Sequence, residues 1–113
     1  MNISFHGIGQ ECATFLSATA QEGHVVKISG RGTVDACSAG EDFCGVALCR
    51  RDGACTVQIG GFVTVSYTGA APTVGWTALA ADGAGGVKAM ETGGKVYLAA
   101  DVDTTAKTVT IKL

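Results

Sequence analysis

The sequence predicts an all-β protein, a single small β-barrel or sandwich of about eight or nine short antiparallel strands that occupies residues 1–113 as one domain. Seventeen glycines and one proline divide the 113 residues into short segments, and segments of about five to eight residues have the usual length of strands. Apolar and polar residues alternate within most segments, as in half-buried strands. The segments recur about every ten residues, which is typical of sandwiches and small barrels.

The strands are best defined at two hairpins. Asp52-Gly53 separates two β-prone segments and favours positive φ values, so it predicts a tight turn. Residues 108–113 have the cleanest alternation, and they should pair with residues 96–99 across residues 103–107. The predicted strands are residues 24–28, 33–37, 43–49, 54–59, 62–67, 76–81, 87–90, 95–102 and 108–113.

The beginning of the chain is less regular than the rest. Residues 10–21 fit a strand followed by a turn better than a helix, because threonine, serine and the flanking glycines disfavour a helix. Residues 1–22 are predicted to form an N-terminal arm that could reach a neighbouring subunit by adding a strand to its sheet. An open sheet would leave exposed edges, so we expect closure into a barrel or pairing with another subunit.

Composition and charge argue against two classes of partner. Eight basic and ten acidic residues give a net charge of −2, and the basic residues are scattered apart from Arg50 and Arg51, so nucleic acid is not expected as a partner. No apolar run approaches the roughly 20 residues of a membrane helix, and residues 1–6 lack the basic and apolar regions of a secretory signal. We therefore expect no membrane partner and synthesis in a cytoplasm.

Five cysteines are many for this length, but they do not predict a disulfide framework, a metal site or a nucleophile. Their number is odd and no export signal accompanies them, which favours free thiols. Their spacing lacks the C-x-x-C pairs of zinc and redox sites, and the sequence singles out no thiol beside His6 or His24. We predict no catalytic, cofactor-binding or metal-binding residue, and no cofactor. The cysteines are Cys12, Cys37, Cys44, Cys49 and Cys55.

Two pairs of acidic residues and one glycine-rich segment resemble parts of functional sites. Glu41 and Asp42 are adjacent, so they would face opposite sides of a strand and could not act as a catalytic pair. Asp101 and Asp103 flank a hairpin, where solvated aspartates are common. Residues 83–86 lie between two predicted strands and lack the lysine and helix start of a phosphate-binding loop. We interpret all of them as ordinary turn or surface features.

Aromatic side chains offer an alternative function. Trp76, Tyr67, Tyr97 and Phe62 could line a carbohydrate- or ligand-binding face, because aromatic rings are large, rigid and apolar on their faces. A barrel of this size also needs large side chains in its core, so packing is the competing interpretation. A ligand-binding β module is therefore the alternative to a protein that works by assembly.

Several segments taken together resemble a known class of proteins. They read GTV at residues 32–34, AGEDFCGVA at 39–47, VQIGGFVTV at 57–65, GW at 75–76, LAADG at 79–83 and VDTTAKTVT at 102–110. In this order they are similar to the small β-rich structural proteins encoded in phage and prophage head-gene clusters. The similarity extends over nearly all of the chain from residue 24 onward.

The resemblance implies a phage or prophage virion structural protein that decorates the capsid or stabilises the head through subunit–subunit contacts. A tail or head-fibre component is a further alternative. The resemblance also implies a homo-oligomer, with a trimer favoured, bound to the major capsid protein or another virion protein. Such a family brings no catalytic residues, so no enzyme activity is expected. The protein would reside in the virion, and in the bacterial cytoplasm before assembly.

Overall fold

The computed structural model describes residues 11–113, and all regular structure in that part of the chain is β-strand. The all-β prediction is therefore confirmed, with ten strands instead of eight or nine. The strands are β1 (Glu11–Leu16), β2 (Val25–Gly30), β3 (Thr33–Ala36), β4 (Gly45–Arg51), β5 (Ala54–Gly60), β6 (Phe62–Thr68), β7 (Gly75–Ala81), β8 (Val87–Ala89), β9 (Lys95–Asp103) and β10 (Thr108–Lys112).

The strands form two closed barrels of five strands each, in the orders β1-β3-β2-β4-β5 and β10-β6-β8-β7-β9. The prediction of one antiparallel barrel or sandwich is wrong in this respect. Each barrel also contains one parallel pair, β1 with β3 and β6 with β8. Alternation along a segment indicates a strand but does not specify its partner, so neither the number of barrels nor the parallel pairs follows from the pattern.

Both barrels have the same connectivity. In each, the first strand pairs with the third in parallel and with the fifth in antiparallel, and the second strand pairs with the third and fourth. A one-residue bulge interrupts the pairing of the fourth and fifth strands in both, at Leu48 in β4 and at Ala100 in β9. The chain therefore contains one five-strand unit twice, an internal repeat that the sequence analysis does not predict.

The segment after residue 10 belongs to the first barrel. β1 pairs with β5 along its length, from Glu11 opposite Gly60 to Leu16 opposite Ala54. Ser17 follows β1 and is buried, and its Oγ accepts a hydrogen bond of 2.9 Å from a backbone N–H three residues later. The part of the predicted arm that forms β1, residues 11–16, is thus integrated into the first barrel because it pairs with β5 along its length. The part over residues 1–10 lies outside the described residues.

Both predicted hairpins are present. Asp52 and Gly53 connect β4 to β5 with φ values of 52° and 78°, as a tight two-residue turn requires. β9 and β10 also pair as a hairpin, but β10 lies opposite residues 98–103 and not opposite 96–99 as predicted, because β9 continues to Asp103. These turns fix the register of both hairpins, because their loop lengths leave few alternatives.

The hydrophobic core has two parts, of which the larger extends across both barrels. The smaller cluster fills the first barrel with small side chains: Ala20, Val26, Val34, Ala47, Cys55 and Val57. The larger cluster fills the second barrel but also includes Val25, Phe43 and Val46 from the first half of the chain. Its members from the second half are Val65, Tyr67, Leu79, Ala81, Val87, Tyr97, Ala99, Val109 and Ile111.

The connection between β3 and β4 packs directly on the second barrel. The rings of Phe43 and Tyr97 are stacked, with centroids 4.8 Å apart and planes 6° from parallel, and the Tyr97 hydroxyl donates a hydrogen bond of 3.1 Å to the Phe43 carbonyl oxygen. Burial raises the pKa of Tyr97 to about 12. The backbone of Ala81 adds two hydrogen bonds, from Gly40 N at 2.8 Å and to Glu41 O at 2.9 Å. The two barrels are thus joined by shared packing and by backbone pairing.

Gly45 begins β4 where β5 approaches closely. A Cβ atom at this position would collide with the Gln58 carbonyl oxygen and lie 2.8 Å from Val57 Cγ1. We expect Gly45→Ala to lower the free energy of unfolding by roughly 1–3 kcal/mol, the usual cost of overpacking, in urea denaturation. Gly30→Ala is the matched control, because its Cβ would meet only Thr33 Cβ, at 3.9 Å. Equal losses in the two variants would contradict the close approach at Gly45.

Candidate interaction surfaces

The five cysteines are dispersed over the first half of the fold as free thiols. Cys12 and Cys49 are exposed, Cys55 is buried in the first barrel, and Cys37 and Cys44 are half-buried. Among residues 11–113, no group of three or more His, Cys, Asp or Glu side chains is arranged to hold a metal ion. That part of the chain also contains no helix able to span a membrane.

One pocket brings a histidine and a cysteine together. It has a volume of about 240 Å³, and Gln21, His24 and Cys37 line it on one side, with residues 83–85 on the other. A Cβ atom on Gly85 would lie 2.5 Å from the His24 ring, so the glycine backbone packs flat against the imidazole. The sequence could not predict this contact, because the residues are far apart along the chain.

The conformation of residues 83–86, which include the loop lining this pocket, is explained by hydrogen bonds within the fold. Asp82 Oδ1 accepts hydrogen bonds from Ala84 N at 2.7 Å and Gly86 N at 3.0 Å, and Gly85 O accepts one from Val25 N at 2.9 Å. A phosphate-binding loop needs its backbone N–H groups directed at the ligand, whereas two of those in this loop bind the Asp82 carboxylate. The interpretation of residues 83–86 as a turn is therefore confirmed.

The electrostatic environment of Cys37 does not activate its thiol. Burial, followed by the nearby Glu41 carboxylate, raises the pKa of Cys37 to about 11. A nucleophilic cysteine needs a lowered pKa so that the thiolate is present at neutral pH. With this raised pKa, the Cys37 sulfur is mainly a neutral thiol at pH 7, and a neutral thiol is a weak nucleophile.

Two of the four acidic residues discussed above, Glu41 and Asp103, have internal partners. Glu41 Oε2 forms a 2.6 Å salt bridge with Lys27 Nζ, and Oε1 accepts a hydrogen bond of 2.6 Å from Ser38 N. The hydrogen bond from Lys27 is the main reason that the pKa of Glu41 is lowered. Asp103 Oδ1 accepts two backbone hydrogen bonds within the β9–β10 turn. The interpretation of Asp103 as a turn residue is confirmed, and Glu41 supports the segment that joins the barrels.

The aromatic residues separate into core and surface. Tyr67 and Tyr97 are buried in the larger core cluster, so they cannot line a ligand-binding face as considered from the sequence. Phe62 is half-buried, and Trp76 is 74% exposed. Only Phe62 and Trp76 of the four aromatic side chains are accessible from outside.

Trp76 lies in an apolar surface on the outside of the second barrel. Directly opposed residues in neighbouring strands share a face. One such row crosses the sheet from Phe62 in β6 to Lys112 in β10, and continues to Leu98 in β9 and Trp76 in β7. In a second row Ala78 opposes Val96, which is 59% exposed. We call this surface the Trp76 face; its apolar members are Phe62, Trp76, Ala78, Val96 and Leu98.

The Trp76 face carries charges of both signs. Lys112 lies within the Phe62–Trp76 row and is exposed. Thr110 lies on the same side of β10, about 7 Å along the strand, and opposes the exposed Asp101 of β9. The face is therefore apolar at its centre, with a cation and an anion at different positions.

No protein-family model matches this chain, and no curated protein matches it.

The thiols should differ in their pH-dependent reactivity with iodoacetamide. We expect alkylation of Cys37 to remain slow at pH 8 and to rise toward pH 11, because only the thiolate reacts and the pKa of Cys37 is raised to about 11. Mass spectrometry of peptides from the native protein would give the rate at each pH, and Cys37→Ser would verify the peptide assignment. A plateau in the Cys37 rate by pH 8 would contradict the prediction.

Proposed function

We propose that the protein is a phage or prophage virion structural protein that decorates the capsid or stabilises the head through subunit–subunit contacts. The observation that carries this proposal is the Trp76 face, where one tryptophan and four neighbouring apolar side chains lie on the outside of a closed barrel. Contiguous exposed apolar surface on a small protein typically marks an interaction site. A tail or head-fibre component would use such a face in the same way.

The size of the tryptophan makes this surface energetically important. A tryptophan side chain buries roughly 150–250 Å², and at about 25 cal/mol per Å² its removal from water contributes roughly 4–6 kcal/mol. Trp76 is 74% exposed in the isolated chain, so most of this contribution is available only when a partner covers it. Tryptophan is also among the residues most often found at the energetic centre of interfaces.

The partner that we propose for the Trp76 face is a second copy of this chain, within a homo-oligomer for which a trimer is favoured. The face contains both Lys112 and Asp101, so another copy can offer an opposite charge to each of them. A face for a strongly acidic or strongly basic partner would instead carry one sign of charge. A symmetric oligomer on the particle would add buried area across coat-subunit boundaries and oppose their separation.

Oligomer mass gives a direct test of the Trp76 face. We expect Trp76→Lys to convert the oligomer into a monomer in size-exclusion chromatography with light scattering, because a buried unpaired charge at an interface centre is strongly unfavourable. Ile28→Lys is the matched control, since Ile28 is also an exposed apolar residue, at 54%, but belongs to β2 in the first barrel. A monomeric wild-type protein, or equal dissociation by both variants, would count against the proposal.

The role in the virion has its own test. We expect portal, protease and coat genes beside the gene for this chain, and we expect the purified protein to cosediment with capsids assembled from the neighbouring coat gene. Trp76→Lys should reduce cosedimentation, because many weak contacts act together only in an oligomer. A wild-type protein that stays in the supernatant would refute capsid decoration.

A carbohydrate-binding module is the alternative function, and the exposed ring of Trp76 is the observation that favours it. Aromatic rings on a flat sheet can stack against sugars. This function would need no oligomer, so glycan-array binding by a monomeric protein, abolished in Trp76→Ala, would support the alternative. The described residues around Trp76 are mainly apolar and offer few polar groups to orient a sugar, which is why assembly is preferred.

A further inference from the structure

The fold gathers the arginines of the chain at one end of the first barrel. Arg31 is far in sequence from Arg50 and Arg51, which end β4. However, β1 ends between the β2–β3 turn, which contains Arg31, and the β4–β5 turn, which follows Arg51. Leu16 N donates a hydrogen bond of 2.9 Å to Gly32 O, and Ser17 N donates one of 2.9 Å to Gly53 O. The turn after β2 and the turn after β4 therefore flank the end of β1, and all three arginines are exposed there.

An apolar side chain lies between these cations. Leu16 is 62% exposed and is directly opposite Thr33 on one side and Ala54 on the other. Ala54 is in turn opposite Arg51, so Leu16 and Arg51 belong to one row on the same face of the sheet. We call this surface the arginine pole; its members are Leu16, Arg31 and Arg51, and Arg50 lies at the same end of β4 but on the other face, opposite the buried Cys55.

Among residues 11–113, no salt bridge joins Arg31, Arg50 or Arg51 to a carboxylate. The only salt bridge found among residues 11–113 joins Lys27 to Glu41. Asp35, on the neighbouring β3, accepts hydrogen bonds from Ser29 Oγ at 2.6 Å and Thr19 Oγ1 at 2.8 Å. Asp52, beside Arg51, is the one acidic residue in the two turns, so the three arginines at this end leave a local excess of positive charge on a protein whose net charge is −2.

We propose that the arginine pole binds an acidic segment of a partner protein that places an apolar side chain against Leu16. Arginine binds carboxylates with paired, charge-assisted hydrogen bonds. A partner with negative charge would be repelled by the acidic remainder of the molecule and directed to this pole. The exposed leucine at the centre favours a polypeptide over nucleic acid, because a phosphate backbone offers no apolar group to cover it.

This inference rests on the proposed function for the identity of the partner as a virion protein, such as the coat protein. The arginine pole is a second binding surface, and its charge differs from that of the Trp76 face. The Trp76 face, with charges of both signs, suits another copy of the chain, whereas the arginine pole suits a different, acidic protein.

The test measures binding of short fluorescent peptides to the intact protein by anisotropy at low salt. One ten-residue peptide alternates glutamate and leucine, a second alternates glutamate and serine, and a ten-nucleotide single-stranded DNA is the third probe. We expect the glutamate–leucine peptide to bind at least fivefold more tightly than the glutamate–serine peptide. We also expect salt to weaken binding of both peptides, because exposed charges are screened.

Three variants separate the contributions of charge and apolar contact. Arg31→Ser combined with Arg51→Ser should weaken both peptides at least tenfold, while Leu16→Ser should remove only the preference for leucine. Lys88→Ser combined with Lys107→Ser removes the same charge from the second barrel and should change affinity less than twofold. Thermal melting would establish that each variant is folded, as expected because Lys88 is half-buried and the other substituted positions are exposed.

The contradicting outcomes are distinct. No peptide binding, or equal losses in the arginine and lysine variants, would overturn the arginine pole as a specific site. Tighter binding of DNA than of either peptide, unaffected by Leu16→Ser, would identify a nucleic-acid surface and overturn it as well. Light scattering on the same samples keeps the two proposals apart, since loss of peptide binding with an unchanged oligomer mass refutes only the arginine pole.

Discussion

The packing of Phe43 against Tyr97 is the contact on which the combined fold depends. A five-strand unit of about half this chain can bury little apolar surface alone, and the core cluster confined to the first barrel consists of alanine, valine and cysteine. The segment between β3 and β4 compensates for this small core because it places Phe43 in the core of the second barrel. The backbone of Ala81 also forms hydrogen bonds with the backbone of Gly40 and Glu41 in the same segment. The two repeats therefore share one larger core, and their outer surfaces belong to one packed structure.

The shared core allows two barrels of equal connectivity to differ on the outside. The first barrel carries all three arginines and the exposed Leu16, while the second carries the Trp76 face. Both barrels have a bulge in the fourth strand, at Leu48 and Ala100. Their strand pairing is therefore the same, although their exposed side chains differ. Two copies of one structural unit, joined by a shared core, can in this way carry surfaces of different chemistry. Under the proposals above, one surface would bind another copy of the chain and the other a different protein.

Local features of this fold were predictable from the sequence, and non-local ones were not. Asp52-Gly53 specified its own turn because the required φ values restrict the residue types, and Val109 and Ile111 indicated a half-buried strand by alternation. The two barrels, the parallel pairs and the clustering of Arg31 with Arg51 depend on contacts between distant segments, which alternation does not encode.

The distribution of polar and apolar groups argues for binding through the surface. Asp82, Asp103 and Glu41 direct their carboxylates at backbone N–H groups of their own loops, and burial keeps the Cys37 thiol protonated. These groups support the fold and are poorly suited to act on a substrate. Trp76 and Leu16, in contrast, remain largely exposed to water, so most of their apolar surface is not buried when the isolated chain folds. A partner that covers them binds the folded state and not the unfolded one, so association would also raise stability.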